Sequence, residues 1–311
     1  MRGSLKNIFA IIVVAQSILG NFSNGFIVVI NCIDWVKKRK LSSVDQILMI
    51  LAISRIGAIW QILVSWFKTV QYSFTFMAGT ELRILVFAWI ISNHFSLWLS
   101  TILSIFYLLK IATFSRPAFL YLKWKVKKVT LTILLGNLLF LLLNLIEVNK
   151  HIEDWMHQLE RNTTWNCKMS DFGIFSNLVI QKMILFSLMP FTVALISFFL
   201  LIFSLWKHLK KMQLTSKRHR DPRTKAHINA LKIMISFLLL YATYFLSFFI
   251  SWISRILESK LSYIVCLTIG LIYPSSHSFI LILGNSKLRQ AFVFMLKQLR
   301  CGPKPKTLTI P

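Results

Sequence analysis

Residues 46–67 read QILMILAISRIGAIWQILVSWF, a run long and apolar enough to cross a bilayer, yet Arg55 stands near its middle. A spanning helix needs about 20 apolar residues. An arginine at the centre of one costs roughly 2.5–3.5 kcal/mol on insertion scales, so such a residue faces a protein or water interior and marks function. Outward from this run, six more stretches qualify: 8–33, 82–111, 129–148, 177–205, 231–254 and 261–284. The predicted fold is therefore all-α, one seven-transmembrane helix bundle over residues 1–311 with a tail at 285–311. Composition agrees, because 56% hydrophobic residues and a mean hydropathy of +0.66 are too apolar for a soluble domain. The first run is long enough to span, so the reading expects no cleavable leader.

A net charge of +26 would suggest nucleic acid in a soluble protein, but its placement argues against that partner. Of 36 Lys and Arg, 25 follow the first, third, fifth and seventh runs, whereas seven of the ten acids lie on the opposite side. Cytoplasmic loops collect Lys and Arg, so the amino terminus is expected outside and the tail inside. Asn162-Thr163-Thr164, in the longest outer segment (149–176), is a glycosylation acceptor that works only on the lumenal side. It gives the same orientation. Asn21-Phe22-Ser23 matches the same pattern but lies inside the first helix, out of reach of the transferase. That outer segment carries His151, Glu153, Asp154 and His157, read as a solvated polar loop and not as a metal cluster. Four cysteines without CxxC spacing indicate neither zinc nor a disulfide scaffold. Cys167 and Cys266 are the two that could meet oxidising lumen, and Cys301 is either a palmitoylation site or an ordinary thiol. No cofactor is expected, and Gly-rich phosphate loops, HExxH and GxSxG are all missing from the sequence.

Buried polar residues carry the functional signal. Arg55 lies ten residues from Asp45, about 15 Å at 1.5 Å per residue, hence at the midplane. Asn24 in the first helix and Ser275, Ser276 and Ser278 after Pro274 in the seventh reach a similar depth, and pairing among them would satisfy the guanidinium. The alternative is a fixed polar packing pin. The third helix presents Trp89, Asn93, Ser96 and Ser100 at helical spacing with His94 beside them, and the sixth presents Tyr241, Tyr244, Phe248 and Trp252. This mixture of aromatic and hydrogen-bonding groups is that of a small-molecule pocket, with Phe186, one turn before Pro190, at its floor and Trp66 at its rim. For each residue singly, helix packing is the competing role. At the inner ends of the fifth and sixth helices, SLWKHLKKM and TKAHINALKIM offer His208 and Lys232 to a partner.

The chain resembles the bitter taste receptors of the type 2 family. NGFIVVIN, LAISRI with Arg55, NHFSLWLSTILSIFYLLKIA, SLWKH, KAHINALKIMISFLLLY and HSFILILGNSKLRQAF carry the resemblance through all seven helices. It implies a G-protein-coupled receptor, not an enzyme, for bitter small-molecule agonists in the plasma membrane of taste or other chemosensory cells. Gustducin-type heterotrimers, phospholipase C and calcium release would follow. Membrane lipid and a second copy of the receptor complete the implied partners, with Lys110, His208 and Lys232 facing the G protein. Family pocket positions correspond to Trp89, Asn93 and Tyr241, while Leu267 occupies a site that is often polar in relatives. FYLLKIA and HSFIL replace the switch motifs of rhodopsin-like receptors, so those roles do not transfer. A vomeronasal-type pheromone receptor is the alternative of similar size. A multispan transporter or channel is a third reading, disfavoured because Asp34, Asp45, Glu81, Glu147 and Glu258 all fall at or near helix ends.

Overall fold

A computed structural model of the chain describes residues 3–37, 41–71, 80–112, 114–161, 165–215, 222–257 and 260–301. The described residues form ten helices: α1 Gly3–Val36, α2 Ser43–Gln71, α3 Thr80–Ile111, α4 Pro117–Trp124, α5 Val126–Arg161, α6 Trp165–Thr215, α7 Pro222–Ile256, α8 Lys260–Gly270, α9 Ile272–Gly284 and α10 Ser286–Cys301. Seven spans are long and apolar enough to cross a membrane, the last made of α8 and α9 together. This is the all-α seven-span bundle expected.

Each span is a helix because, in hydrocarbon, only a helix satisfies its own backbone. The surrounding solvent is apolar as well, so the helices turn large apolar side chains outward, among them Ile11, Leu131, Phe203 and Leu239. Small and polar side chains turn inward and let helices approach. α3 occupies the centre, packed on α2, α5 and α6 and buried almost continuously from Asn93 to Ser104. Its hydroxyls bond carbonyls, as when Thr101 Oγ1 reaches both Leu97 O (3.0 Å) and Pro190 O of α6 (2.9 Å).

The end of the bundle where α1 meets α2 is tied by charge. Ser42 and Asp45 cap α2 reciprocally, Ser42 Oγ accepting from Asp45 N at 3.1 Å and Asp45 Oδ2 accepting from Ser42 N at 3.3 Å. Lys287 of the amphipathic α10 bridges Asp34 (2.7 Å) and Asp45 (3.5 Å) and donates to Asn31 Oδ1 (2.9 Å), pinning that helix to α1 and α2.

One expectation is corrected. The segment predicted as a solvated loop at 149–176 is mostly helix, since α5 continues to Arg161 and α6 begins at Trp165. Val148, Ile152 and Trp155 recur at helical spacing and bury against Leu82 and Ile90 of α3 and Met183 of α6, so apolar packing continues beyond residue 148, where the predicted span ends. Asn149 Nδ2 donates to Glu153 Oε1 one turn on (2.8 Å), which reinforces the helix there. Cys266 is buried, and its thiol donates to the Ser247 carbonyl (2.8 Å). The side chains of Cys167 and Cys301 lie outside the described residues.

At the end of the bundle where α5 meets α6, Lys182 of α6 pairs with Glu147 of α5, and Arg83 of α3 lies 3.6 Å from Glu153. These pairs are partly exposed, and such pairs contribute about 0–1 kcal/mol. Lys182→Met is therefore expected to leave the midpoint of thermal unfolding in detergent nearly unchanged. A large drop would mean that the pair, and not the apolar seam beneath it, holds this end together.

Candidate functional site

Arg55 is fully buried, and the structure gathers three helices around its guanidinium. Nη2 donates to Ser100 Oγ of α3 (3.0 Å), to the Tyr273 hydroxyl of α9 (3.1 Å) and to His277 Nδ1, while Nη1 approaches Ser278 Oγ (3.4 Å). The relay continues outward: Ser278 Oγ donates to Asn24 Oδ1 of α1 (2.6 Å), and Asn24 Nδ2 donates to Pro274 O (3.0 Å). Tyr273 in turn donates to Ser100 Oγ (2.7 Å), which donates to Ser96 O (2.7 Å). All these partners are neutral. The charge is held by oriented dipoles and by the Tyr273 ring, 5.0 Å from Cζ.

Asn24, Arg55 and Ser278 thus come together as their depths predicted. Ser275 does not join through its hydroxyl: its Oγ has no hydrogen-bond partner among the described residues, and its backbone carbonyl takes a long contact from Ser23 Oγ (3.5 Å). Ser100, Tyr273 and His277 were not anticipated as partners. Tyr273 and His277 are four apart, a spacing that puts both on the face of α9 shared with Arg55, and this signal stood in the sequence.

The aromatic stripe splits into three parts. Tyr244 donates to Asn93 Oδ1, joining α7 to α3, and stacks on Tyr273 at 4.9 Å. Phe248 lies 5.1 Å from Tyr244 and 6.4 Å from Trp89. Tyr241 sits deeper, fully buried and stacked on Tyr273 at 5.6 Å, so it pairs with the Arg55 layer and not with Trp89. His94 faces away from Tyr244, its Nε2 3.1 Å from Asn137 O of α5 and its ring beside Trp98 and Phe140. Phe186 meets Phe140 edge-on at 4.7 Å and lines a small cavity with Asn93, His94, Trp98 and Asn144. Trp66 and Leu267 belong to a different apolar cluster, with Val13, Ile59 and Leu271 between α1, α2 and the seventh span.

Lys110 is exposed at the C-terminal end of α3, its ammonium 5.6 Å from the Phe106 ring. Asn162 and the side chains of His208 and Lys232 lie outside the described residues. Among the described residues no group of three or more His, Cys, Asp or Glu is placed to hold a metal. What the arrangement can do is recognise and relay: an aromatic and amide surface in direct contact with a buried cation.

The taste receptor protein (TAS2R) family model matches residues 1–300. The mouse protein named taste receptor type 2 member 13 is 62% identical over 98% of this chain and the whole of its own length. The human and gorilla proteins of that name are each 65% identical over 95% of this chain and 97% of theirs. Members of this family are receptors and not enzymes, and the seven spans fit a multi-pass membrane protein. On this evidence the chain belongs to the taste receptor type 2 family, the bitter taste receptors.

Proposed function

We propose that the chain detects bitter small molecules at the plasma membrane of taste or other chemosensory cells, with its amino terminus outside. Activation passes to a gustducin-type heterotrimeric G protein and on through phospholipase C to calcium. The observation that carries this reading is an unbroken ring ladder, Trp89–Phe248–Tyr244–Tyr273, with centroid spacings of 6.4, 5.1 and 4.9 Å, ending on Arg55. A ligand held by Trp89, Asn93, Tyr244 and Phe248 would touch the upper rungs and bias the lower ones. Lys110, His208 and Lys232 are proposed as the G-protein face, where basic side chains steer association and a groove between the inner ends of α6 and α7 takes a partner helix.

The test is a calcium screen of the full chain, co-expressed with a promiscuous G protein, against a panel of bitter compounds. Trp89→Ala should raise the half-maximal dose of several chemically distinct activators, because an aromatic wall with few fixed polar groups contributes to each of them. Unchanged midpoints at equal surface expression would put the pocket elsewhere.

Orientation has its own check. Asn162 should carry a glycan, and Asn162→Gln should abolish the mobility shift produced by glycosidase. A shift that survives the substitution overturns the assignment of that site.

A further inference from the structure

Between α3, α5 and α6 lies a cavity whose walls are more polar than its size suggests. Asn93 and Trp98 come from α3, Asn144 from α5, and Phe186 and Pro190 from α6. Asn93 Nδ2, Trp98 Nε1 and Asn144 Oδ1 are buried, and none has a hydrogen-bond partner among the described residues. The orientation of the Asn93 amide is set by Tyr244, whose hydroxyl takes Oδ1 and leaves the NH₂ group for the cavity. Pro190 lies inside α6 and has no N–H, so the Phe186 carbonyl one turn earlier lacks its usual helical donor.

The residues that line the cavity therefore bring N–H donors on Asn93 and Trp98 and the acceptor Asn144 Oδ1, and Pro190 withholds its N–H from the carbonyl of a fourth, Phe186. A water oxygen has the complementary set, two lone pairs and two O–H bonds. An alcohol hydroxyl fills three of the four. The cavity is small but admits a water-sized molecule, and a buried water needs two to four polar partners.

We propose that this cavity is a subsite for a single hydroxyl-type oxygen: a water in the resting receptor, and an alcohol oxygen of an agonist when one is bound. The agonist half rests on the receptor reading above, and the water half does not. Asn93 is the shared wall, because its Oδ1 belongs to the Tyr244 bond of the aromatic pocket and its Nδ2 to the subsite. An agonist lying against Trp89 and Phe248 would reach the subsite past this one residue. The subsite thus confers a preference for alcohols on a pocket whose remaining surface is mostly aromatic.

Met183 lines the same cavity and is buried, which makes it a reporter of water. When the full chain in detergent is exposed to X-ray-generated hydroxyl radicals, a water beside Met183 should yield rapid sulfoxide formation despite the burial. Trp98→Phe and Asn144→Leu, which remove one donor and one acceptor, should each lower that labelling several-fold. If Asn144→Leu does not fold, Asn144→Ala replaces it. Unlabelled Met183 in the ligand-free receptor, or labelling indifferent to both substitutions, overturns the water site. Agonists from the screen then supply the second arm, tested as pairs differing by one hydroxyl. The alcohol should suppress Met183 labelling and its deoxy analogue should not, and a potency advantage of roughly tenfold for the alcohol should shrink in Asn144→Leu. Labelling with no difference between paired compounds overturns the agonist half and leaves a water site only. A panel that activates nothing counts against the receptor reading, while the ligand-free labelling still decides the water site.

Discussion

Arg55→Leu is expected to reach the membrane in normal amount and to lose most of its agonist-evoked calcium response. Leucine removes the insertion cost of about 2.5–3.5 kcal/mol that the arginine carries, so the second span should enter the bilayer at least as readily. The loss falls on the groups left behind. Ser278 still donates to Asn24 and Tyr273 still donates to Ser100, so those two bonds outlast the substitution. His277 Nδ1 loses the Arg55 Nη2 donor, and a buried acceptor without a donor costs about 1–3 kcal/mol. The substitution also cuts the direct links from α2 to α3 and α9, leaving apolar contact to hold their relative positions. If the resting and active arrangements differ in these bonds, their loss shifts the balance between states. A shift of 1–3 kcal/mol corresponds to roughly fivefold to over a hundredfold in that equilibrium. Arg55→Lys should rescue in part, keeping the charge and a donor but not the fork that reaches Ser100, Tyr273 and Ser278 together. Surface labelling and calcium should be read on the same cells. A leucine variant at the surface with unchanged basal level, midpoint and maximum would show that Arg55 is neither switch nor necessary pin.

The parts of this site legible beforehand are those governed by a single coordinate, depth. Counting residues from the helix ends put Arg55, Asn24 and Ser278 at one level, and the structure bonds them. What depth does not encode is rotation. Ser275 shares that level but turns toward Gly20 of α1 and not toward Arg55. The same limit applies to the aromatics: Tyr241 and Tyr244 lie on one stripe and both stack on Tyr273, yet Tyr244 is the one that bonds Asn93. Trp66, placed by its position along its span, and Leu267, placed by the family resemblance, turn into a separate apolar cluster. The seven spans themselves were legible because hydrocarbon admits one backbone solution. The C-terminal extension of α5 was not, because charged residues at 150–154 mask the spacing of Val148, Ile152 and Trp155.

Gly20→Ala is expected to destabilise the bundle, whereas Gly25→Ala, five residues further along the same helix, is not. A Cβ at Gly20 would stand 2.6 Å from Ser275 Oγ, 2.7 Å from Ile59 Cδ1 and 3.1 Å from Ser275 Cα, but at Gly25 it would meet nothing within 4 Å. The first two contacts are ends of side chains and can move. Ser275 Cα is backbone, so α1 and α9 must separate there. They separate against resistance, because Gly20 O accepts from Asn24 Nδ2 at 2.8 Å and the same nitrogen donates to Pro274 O at 3.0 Å. Widening the gap stretches the bond that ties α1 to the Arg55 relay. Overpacking of this kind costs about 1–3 kcal/mol, and Gly20→Val should cost more, since a branched side chain adds volume where one carbon already collides. At Gly25 the helix gains instead, by up to about 1 kcal/mol, from replacing glycine in its interior. Thermal unfolding of both variants in the same detergent, with surface expression measured alongside, separates the two effects. If Gly20→Ala and Gly25→Ala shift the midpoint alike, the close approach of α1 to α9 is not what holds the Arg55 layer in register.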